Sequence, residues 1–224
     1  MLTISNLSVQ RAGKSVLLDF SLQLAAGELV AVVGPNGVGK STLALALLGH
    51  PDCMITSGQV DLDGQDLLSL KTAERAKLGL FLAHQEPPAI AGVTLASVLR
   101  AASDATRSTP WSTAEFFDRL RAVTVRLGLG TDFVNRDLHV GLSGGEKKRA
   151  ELLALLVLQP KYAILDEIDA GMDTEARTLT QEVLAELRAA GTGCLVISHN
   201  ESFIHGLNAT CQLSLQSLSG DKRL

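Results

Sequence analysis

The run Gly34-Pro35-Asn36-Gly37-Val38-Gly39-Lys40-Ser41 fits the pattern G-x-x-x-x-G-K-[ST] at every fixed position. Glycines at this spacing let successive backbone N–H groups turn inward toward phosphate oxygens. The helix that follows aims its unsatisfied N–H groups and positive dipole end at the same place. Lys40 then reaches the β- and γ-phosphates as a point charge, the Ser41 hydroxyl helps hold Mg2+, and Thr42 bonds the α-phosphate. A plain glycine turn before a capped helix would use the same residue types. The context favours phosphate, because the run joins the apolar strand Leu29-Val30-Ala31-Val32-Val33 to a Leu- and Ala-rich helix from about Lys40 to Leu48.

A second group of residues sits where other apolar strands end. Ile164-Leu165-Asp166-Glu167 closes a strand on two carboxylates. Asp166 suits the Mg2+ shell, through water, while the differently directed Glu167 suits orienting or deprotonating an attacking water. Two acids often do no more than solubilise a strand end, and it is the complete phosphate loop upstream that gives this pair weight. His199 follows Leu195-Val196-Ile197-Ser198 and suits a hydrogen bond to the γ-phosphate, although a lone histidine is more often structural. Gln85 follows Leu80-Phe81-Leu82 and offers a neutral amide to Mg2+ and the lytic water. A third element is Leu142-Ser143-Gly144-Gly145-Glu146, a serine and two glycines ahead of a helix that runs to Leu158. It is a second anion-binding helix start, with no lysine in its turn.

The elements that must position these groups read as α/β. Val16, Leu18, Phe20, Leu22 and Leu24 alternate with a largely polar set, as in a strand, and Asp61-Leu62-Asp63-Gly64 is a hairpin turn. Strands at about 78–83, 162–165 and 194–197 alternate with helices at about 145–158 and 174–190. That order implies right-handed crossovers and a mainly parallel sheet with its ligands at the strand carboxyl ends. Between about Gln85 and Gly141 the texture changes. Pro87, Pro88 and Pro110 break regular structure, and Ser112 with Glu115 forms a capping box ahead of an apolar stripe over Phe116, Leu120, Val123 and Leu127. No strand pattern is evident there, and the stretch reads as an inserted helical subdomain.

Motif order and spacing resemble the ATP-binding-cassette (ABC) ATPase family over nearly the whole chain. The matching elements are Gly34–Thr42, Gln85, Leu142–Glu146, Asp166-Glu167, Asp173 and His199. The resemblance implies an α/β P-loop NTPase of ABC ATPase type. Its mainly parallel sheet core carries an N-terminal antiparallel β part and an inserted α-helical subdomain. One domain would then span 1–224, with 1–84 and 155–224 as the nucleotide-binding core and 85–154 as the helical part. The family's chemistry is Mg2+-dependent ATP hydrolysis. It also implies a head-to-tail homodimer or paralogue dimer, in which Ser143, Gly144 and Gly145 of one subunit face the γ-phosphate held by Lys40 of the other. Within the family, Glu146-Lys147-Lys148-Arg149 and the Pro87, Ile90, Gly92 and Val93 context resemble the SufC group of iron–sulfur assembly ATPases. That likeness implies scaffold partners of the SufB/SufD kind. A membrane permease partner is the alternative. Departures from the pattern are Glu86, Ala170 and Met172, and Arg11 stands near the usual place of an adenine-stacking aromatic. The 25 residues after His199 are also fewer than the likeness implies.

Composition agrees with a folded chain working in the cytoplasm. Of 224 residues, 46% are apolar and the net charge is −4, which excludes disorder. Twenty Lys and Arg against 24 Asp and Glu argue against a nucleic-acid partner. The longest apolar run, Leu152 to Leu158, is far short of a membrane span, and the N-terminus lacks a basic region followed by an apolar one. Cys53, Cys194 and Cys211 have neither disulfide nor metal spacing and read as free thiols. The Lys147–Arg149 run reads, by itself, as a solvated helix face.

Overall fold

A computed structural model of the chain describes residues 1–215. The first strands, β1 (Leu2–Arg11) and β2 (Lys14–Leu24), pair antiparallel, and β4 (Cys53–Leu62) pairs with the other edge of β1. A two-residue strand, β5 (Gln65–Asp66), returns on β4 through Asp63 and Gly64, both at positive φ, as a tight hairpin turn requires.

The second sheet runs β11-β3-β10-β9-β6, and every neighbouring pair in it is parallel. Its strands are β3 (Leu29–Val33), β6 (Leu80–Ala83), β9 (Tyr162–Asp166), β10 (Gly193–Ile197) and β11 (Cys211–Ser214). The largely apolar sequences of β3, β6, β9 and β10 follow from burial on both faces, whereas the edge strand β11 is mostly exposed. Alternate residues feed two cores. Val30, Val32, Ile164, Leu195 and Ile197 pack with the antiparallel sheet and α1 (Lys40–Leu48). Ala31, Ala163, Leu165, Cys194 and Val196 pack with the helices on the opposite face.

Those helices include α5 (Gly144–Leu158), α6 (Thr174–Ala189) and α7 (Glu201–Gly206). A short helix, α2 (Thr72–Lys77), leads into β6. The segment expected to be purely helical does contain α3 (Leu95–Thr106) and α4 (Thr113–Arg126), the latter started by the Ser112/Glu115 capping box. It also contains a small antiparallel ladder of β7 (Ile90–Thr94) with β8 (Asp137–Leu138), which corrects the reading that it holds no strand. Strands of five and two residues, one of them largely exposed, are too short and too polar to show a period-two pattern. Helix α5 is continuous through 154 and 155, so the sequence boundary drawn there falls inside one helix packed against α3, α4 and α6.

Candidate active site

Four strands of the parallel sheet deliver the site at their carboxyl ends. From β3 the chain enters Gly34–Gly39 and then α1. Gly39 is the N-cap of α1 at φ 106°, and a Cβ there would meet the Val16 carbonyl oxygen at 2.8 Å. Gly34, at φ 156°, would bring a Cβ within 2.6 Å of the Leu215 carbonyl oxygen. Both glycines are therefore demanded by the fold of this chain itself. Gly37 is also left-handed, at φ 81°.

Lys40 is 4% exposed, and its ammonium donates to the carbonyls of Gly34 (2.8 Å) and Pro35 (3.0 Å). The same nitrogen lies 3.7 Å from Glu167 Oε1. The Ser41 hydroxyl donates to Asp166 Oδ1 at 3.2 Å, joining the start of α1 to the end of β9. Burial pushes the Asp166 carboxyl above the usual aspartate range, against the Ser41 hydrogen bond that lowers it, and the neighbouring Glu167 charge adds to the rise. A hydroxyl beside a buried carboxylate is an all-oxygen, hard donor set. It fits Mg2+, which takes one or two protein oxygens and completes its octahedron with waters and phosphate oxygens.

Glu167 stands at the centre of the constellation. Its backbone is left-handed, φ 48°, a strained conformation for a residue with a side chain. Its N–H donates to the Ile197 carbonyl at 2.9 Å, and its own carbonyl accepts from Lys148 Nζ at 3.0 Å. The side chain is gripped as well. Gln85 Nε2 donates to Oε2 at 2.7 Å, and His199 Nδ1 lies 3.5 Å from Oε1. His199 remains half-exposed, with 51% of its side chain open to solvent. Thus Lys40, Ser41, Gln85, Asp166, Glu167 and His199, from four separate strand ends, form one connected group. A cavity of about 420 Å3 beside it is lined by Asn36, Gly37, Lys40, Ser41, Thr42, Gln85 and Glu167, with Arg11 and Val16 on the wall.

The Ser143 turn is placed differently. Ser143, Gly144 and Gly145 are exposed at the start of α5 and do not line that cavity. Ser143 caps the helix, accepting from Glu146 N, while Glu146 Oε2 accepts from both the backbone N–H and the hydroxyl of Ser143 at 2.8 Å. Arg136 adds a hydrogen bond to Glu146 Oε1 at 2.8 Å. Asp173, the other motif residue away from the cavity, caps α6 by accepting from Ala176 N at 2.8 Å.

Lys148 was not among the expected site residues, and reading 147–149 as a solvated face is corrected here at Lys148 and Arg149. Lys148 Nζ reaches the carbonyls of Glu167 and, at 3.5 Å, Gln85. Arg149 turns inward to the Leu127 carbonyl. Burial pushes the Lys148 ammonium below the usual lysine value, while the carboxylates of Asp169, Glu151, Glu167 and Asp166 favour its charge. Helical periodicity gave no signal, because residues 150–157 of α5 are buried all round.

A larger cavity, about 610 Å3, lies away from the phosphate loop, between the core and the helical segment. Its floor includes Leu80, Leu82, Pro87, Leu95 and Leu99. It opens beside β6, the strand that delivers Gln85.

Residues 17–170 match the family described as ABC transporter. A probable ABC transporter ATP-binding protein of Streptococcus pyogenes serotype M18 is 42% identical over 207 residues, covering 92% of this chain and 81% of that protein. The probable ATP-dependent transporter SufC of Escherichia coli K12 is 36% identical over 208 residues, covering 91% and 84%. Among solved structures, one described as the ATP binding subunit of an ABC transporter superposes with TM-score 0.83 at 24% identity, over 96% of this chain and 86% of that one. A dimeric post-hydrolysis cassette bound to ADP and Pi superposes with TM-score 0.82 at 20% identity, over 96% and 94%.

Proposed function

The chain belongs to the ABC transporter family, as an ATPase that binds ATP with Mg2+, and from that premise we propose that it is the SufC-like motor of a cytoplasmic iron–sulfur cluster assembly scaffold. The observation that carries this reading is the 36% identity to SufC, which extends over 84% of that protein's length. The Glu146–Arg149 run adds support, because its Lys148 is tied to the strand end that carries Glu167.

The proposed chemistry follows from the site. The loop amides of 34–41 and the Lys40 ammonium bind the β- and γ-phosphates, and Thr42 binds the α-phosphate. Ser41 and Asp166 hold the Mg2+ shell, with Gln85 at its edge, and the metal supplies charge neutralisation on the phosphates. Glu167, oriented by the Gln85 amide, positions the attacking water and takes its proton, and His199 donates to the γ-phosphate. Ser143, Gly144 and Gly145 complete the phosphate site of a second copy or a paralogue, so the productive form is an ATP-closed dimer. Their exposure, and the dimeric state of the solved cassette, support this assignment. The scaffold, of SufB/SufD type, docks in the groove beside β6, where a shift of that strand moves Gln85.

A second reading has an observation of its own. The S. pyogenes relatives, at 42% identity, carry the description of transporter ATP-binding proteins, which favours a membrane permease as partner. Capture of the Glu167→Gln variant with ATP from native cells, followed by mass spectrometry, separates the two. A soluble scaffold pair whose iron–sulfur loading requires ATP hydrolysis supports the first reading. A polytopic permease recovered in its place overturns it.

A further inference from the structure

Arg75 is 5% exposed and uses its guanidinium on three backbone carbonyls. Nη1 donates to Ala46 O at 3.0 Å and Leu47 O at 2.8 Å, and Nε donates to Leu70 O at 2.9 Å. No ion pair holds it among the described residues, and the Asp66 charge acts on it from longer range. The first two acceptors belong to the last turn of α1, where helix carbonyls have no partner further along the helix. Gly49 closes that turn at φ 81°, donating its N–H to Ala46 O, and His50 donates to Leu45 O. A Cβ on Gly49 would stand 2.9 Å from the Arg75 guanidinium carbon, so the cation lies flat against the helix end. A buried positive charge is thereby seated at the negative end of the helix whose other end begins with Lys40.

We infer that Arg75 is a positioning residue for ATP binding: it sets where α1 lies along its axis, and with it Lys40 and Ser41. Helix α1 has nine residues, a rod about 13 Å long, so a shift at one end appears at the other. Its sides are Leu43, Ala44, Ala46 and Leu47 against apolar neighbours, and non-directional packing resists sliding weakly. Directional bonds sit at the ends, with the phosphate loop at one and Arg75 with the Gly49 turn at the other. A binding constellation tolerates about 0.5 Å of misplacement, which leaves little room for a loose rear end. Arg75 also belongs to α2, which feeds β6 and then Gln85. One side chain therefore ties the phosphate helix to the strand carrying the water-side amide.

Arg188 provides a matched control. It too spends its guanidinium on carbonyls, of Gly27, Leu207 and Asn208, none of them on α1. In the full chain, Arg75→Lys keeps the charge and loses the three-point geometry. The expected result is a rise of about tenfold in the Kd for ATP and in KM, with kcat at saturating ATP changed far less and the circular dichroism of the fold retained. Arg188→Lys lowers Tm and leaves the nucleotide Kd in place. Equal Kd values for Arg75→Lys and the native chain overturn the inference, and so does an equal rise in both variants. A measurement on the unmodified protein removes dependence on a variant's folding. Adding a non-hydrolysable ATP analogue should shift the Arg75 Nε–H resonance and leave that of Arg188 unmoved, and an Arg75 resonance that stays put counts against the inference.

Discussion

Two glycine-rich turns open helices in this molecule, and they are built on opposite plans. The phosphate loop is wired into its surroundings. Gly34 and Gly39 are obliged to be glycine by positive φ and by backbone oxygens under 3 Å from any added Cβ, and Lys40, Ser41, Asp166, Glu167 and Gln85 are linked to one another. The Ser143 turn bonds to itself and to Arg136. Gly144 and Gly145 have φ values open to any residue, and a Cβ on either would meet nothing within 4 Å. Nothing inside the described chain explains why they are glycines. That contrast fits the proposed division of each site between two subunits. One turn carries its reason within the subunit, and the proposed reason for the other lies in a second subunit.

Lys40→Ala removes the charge proposed to meet the β- and γ-phosphates, and phosphate release should fall by about 100- to 1,000-fold. Glu167→Gln should cost turnover about 100-fold or more while ATP still binds, so that an ATP-dependent dimer accumulates in size-exclusion chromatography. Hydrolysis by that variant at the native rate would remove Glu167 from its proposed role.

The glycines give the sharpest contrast. Gly39→Ala should destabilise the isolated chain by about 1–3 kcal/mol, because a strained φ and a close backbone oxygen both oppose it. Gly145→Ala should leave thermal stability within about 0.5 kcal/mol of the native chain and nucleotide affinity unchanged, yet depress turnover under dimer-forming conditions. Equal loss of Tm in the two variants would erase the distinction drawn between the turns.

Smaller still is the cap. Ser143→Ala should cost about 1 kcal/mol of helix stability, read as a Tm shift of a few degrees. The Ser143 backbone N–H, then its hydroxyl and Arg136, hold the Glu146 carboxyl below its ordinary value of 4.5. A lowered carboxylate value means the cap's contribution is complete above that value and is lost as pH falls through the depressed one. Hydrogen exchange at the start of α5 should accelerate there, and Glu146→Gln should flatten the dependence.

Much of this was legible in the residues. The strand-end positions of Gly34, Gln85, Asp166 and His199 follow from apolar runs and the glycines, prolines and polar residues that end them, because strands buried on both faces admit little else. The β7/β8 ladder was not legible, since strands so short and exposed leave no periodic trace. Lys148 and Arg75 were hidden for another reason. A lysine or arginine in a charged stretch reads as solvated, and only the packing of α5 or α2 against a neighbour turns its head group onto backbone carbonyls.

The sequence by itself determined the phosphate chemistry, because the loop is contiguous and its residue types state what they bind. It also determined the two-sided sheet, because burial on both faces imposes apolar runs. Tertiary structure alone decided which residues from distant segments share the site, that Glu167 is held in a strained backbone by Ile197 and Lys148, and that Arg75 ends the phosphate helix. Those facts depend on hydrogen bonds between groups dozens of residues apart. Such bonds exist only once apolar burial has brought the elements together, and no local pattern in the chain encodes their geometry.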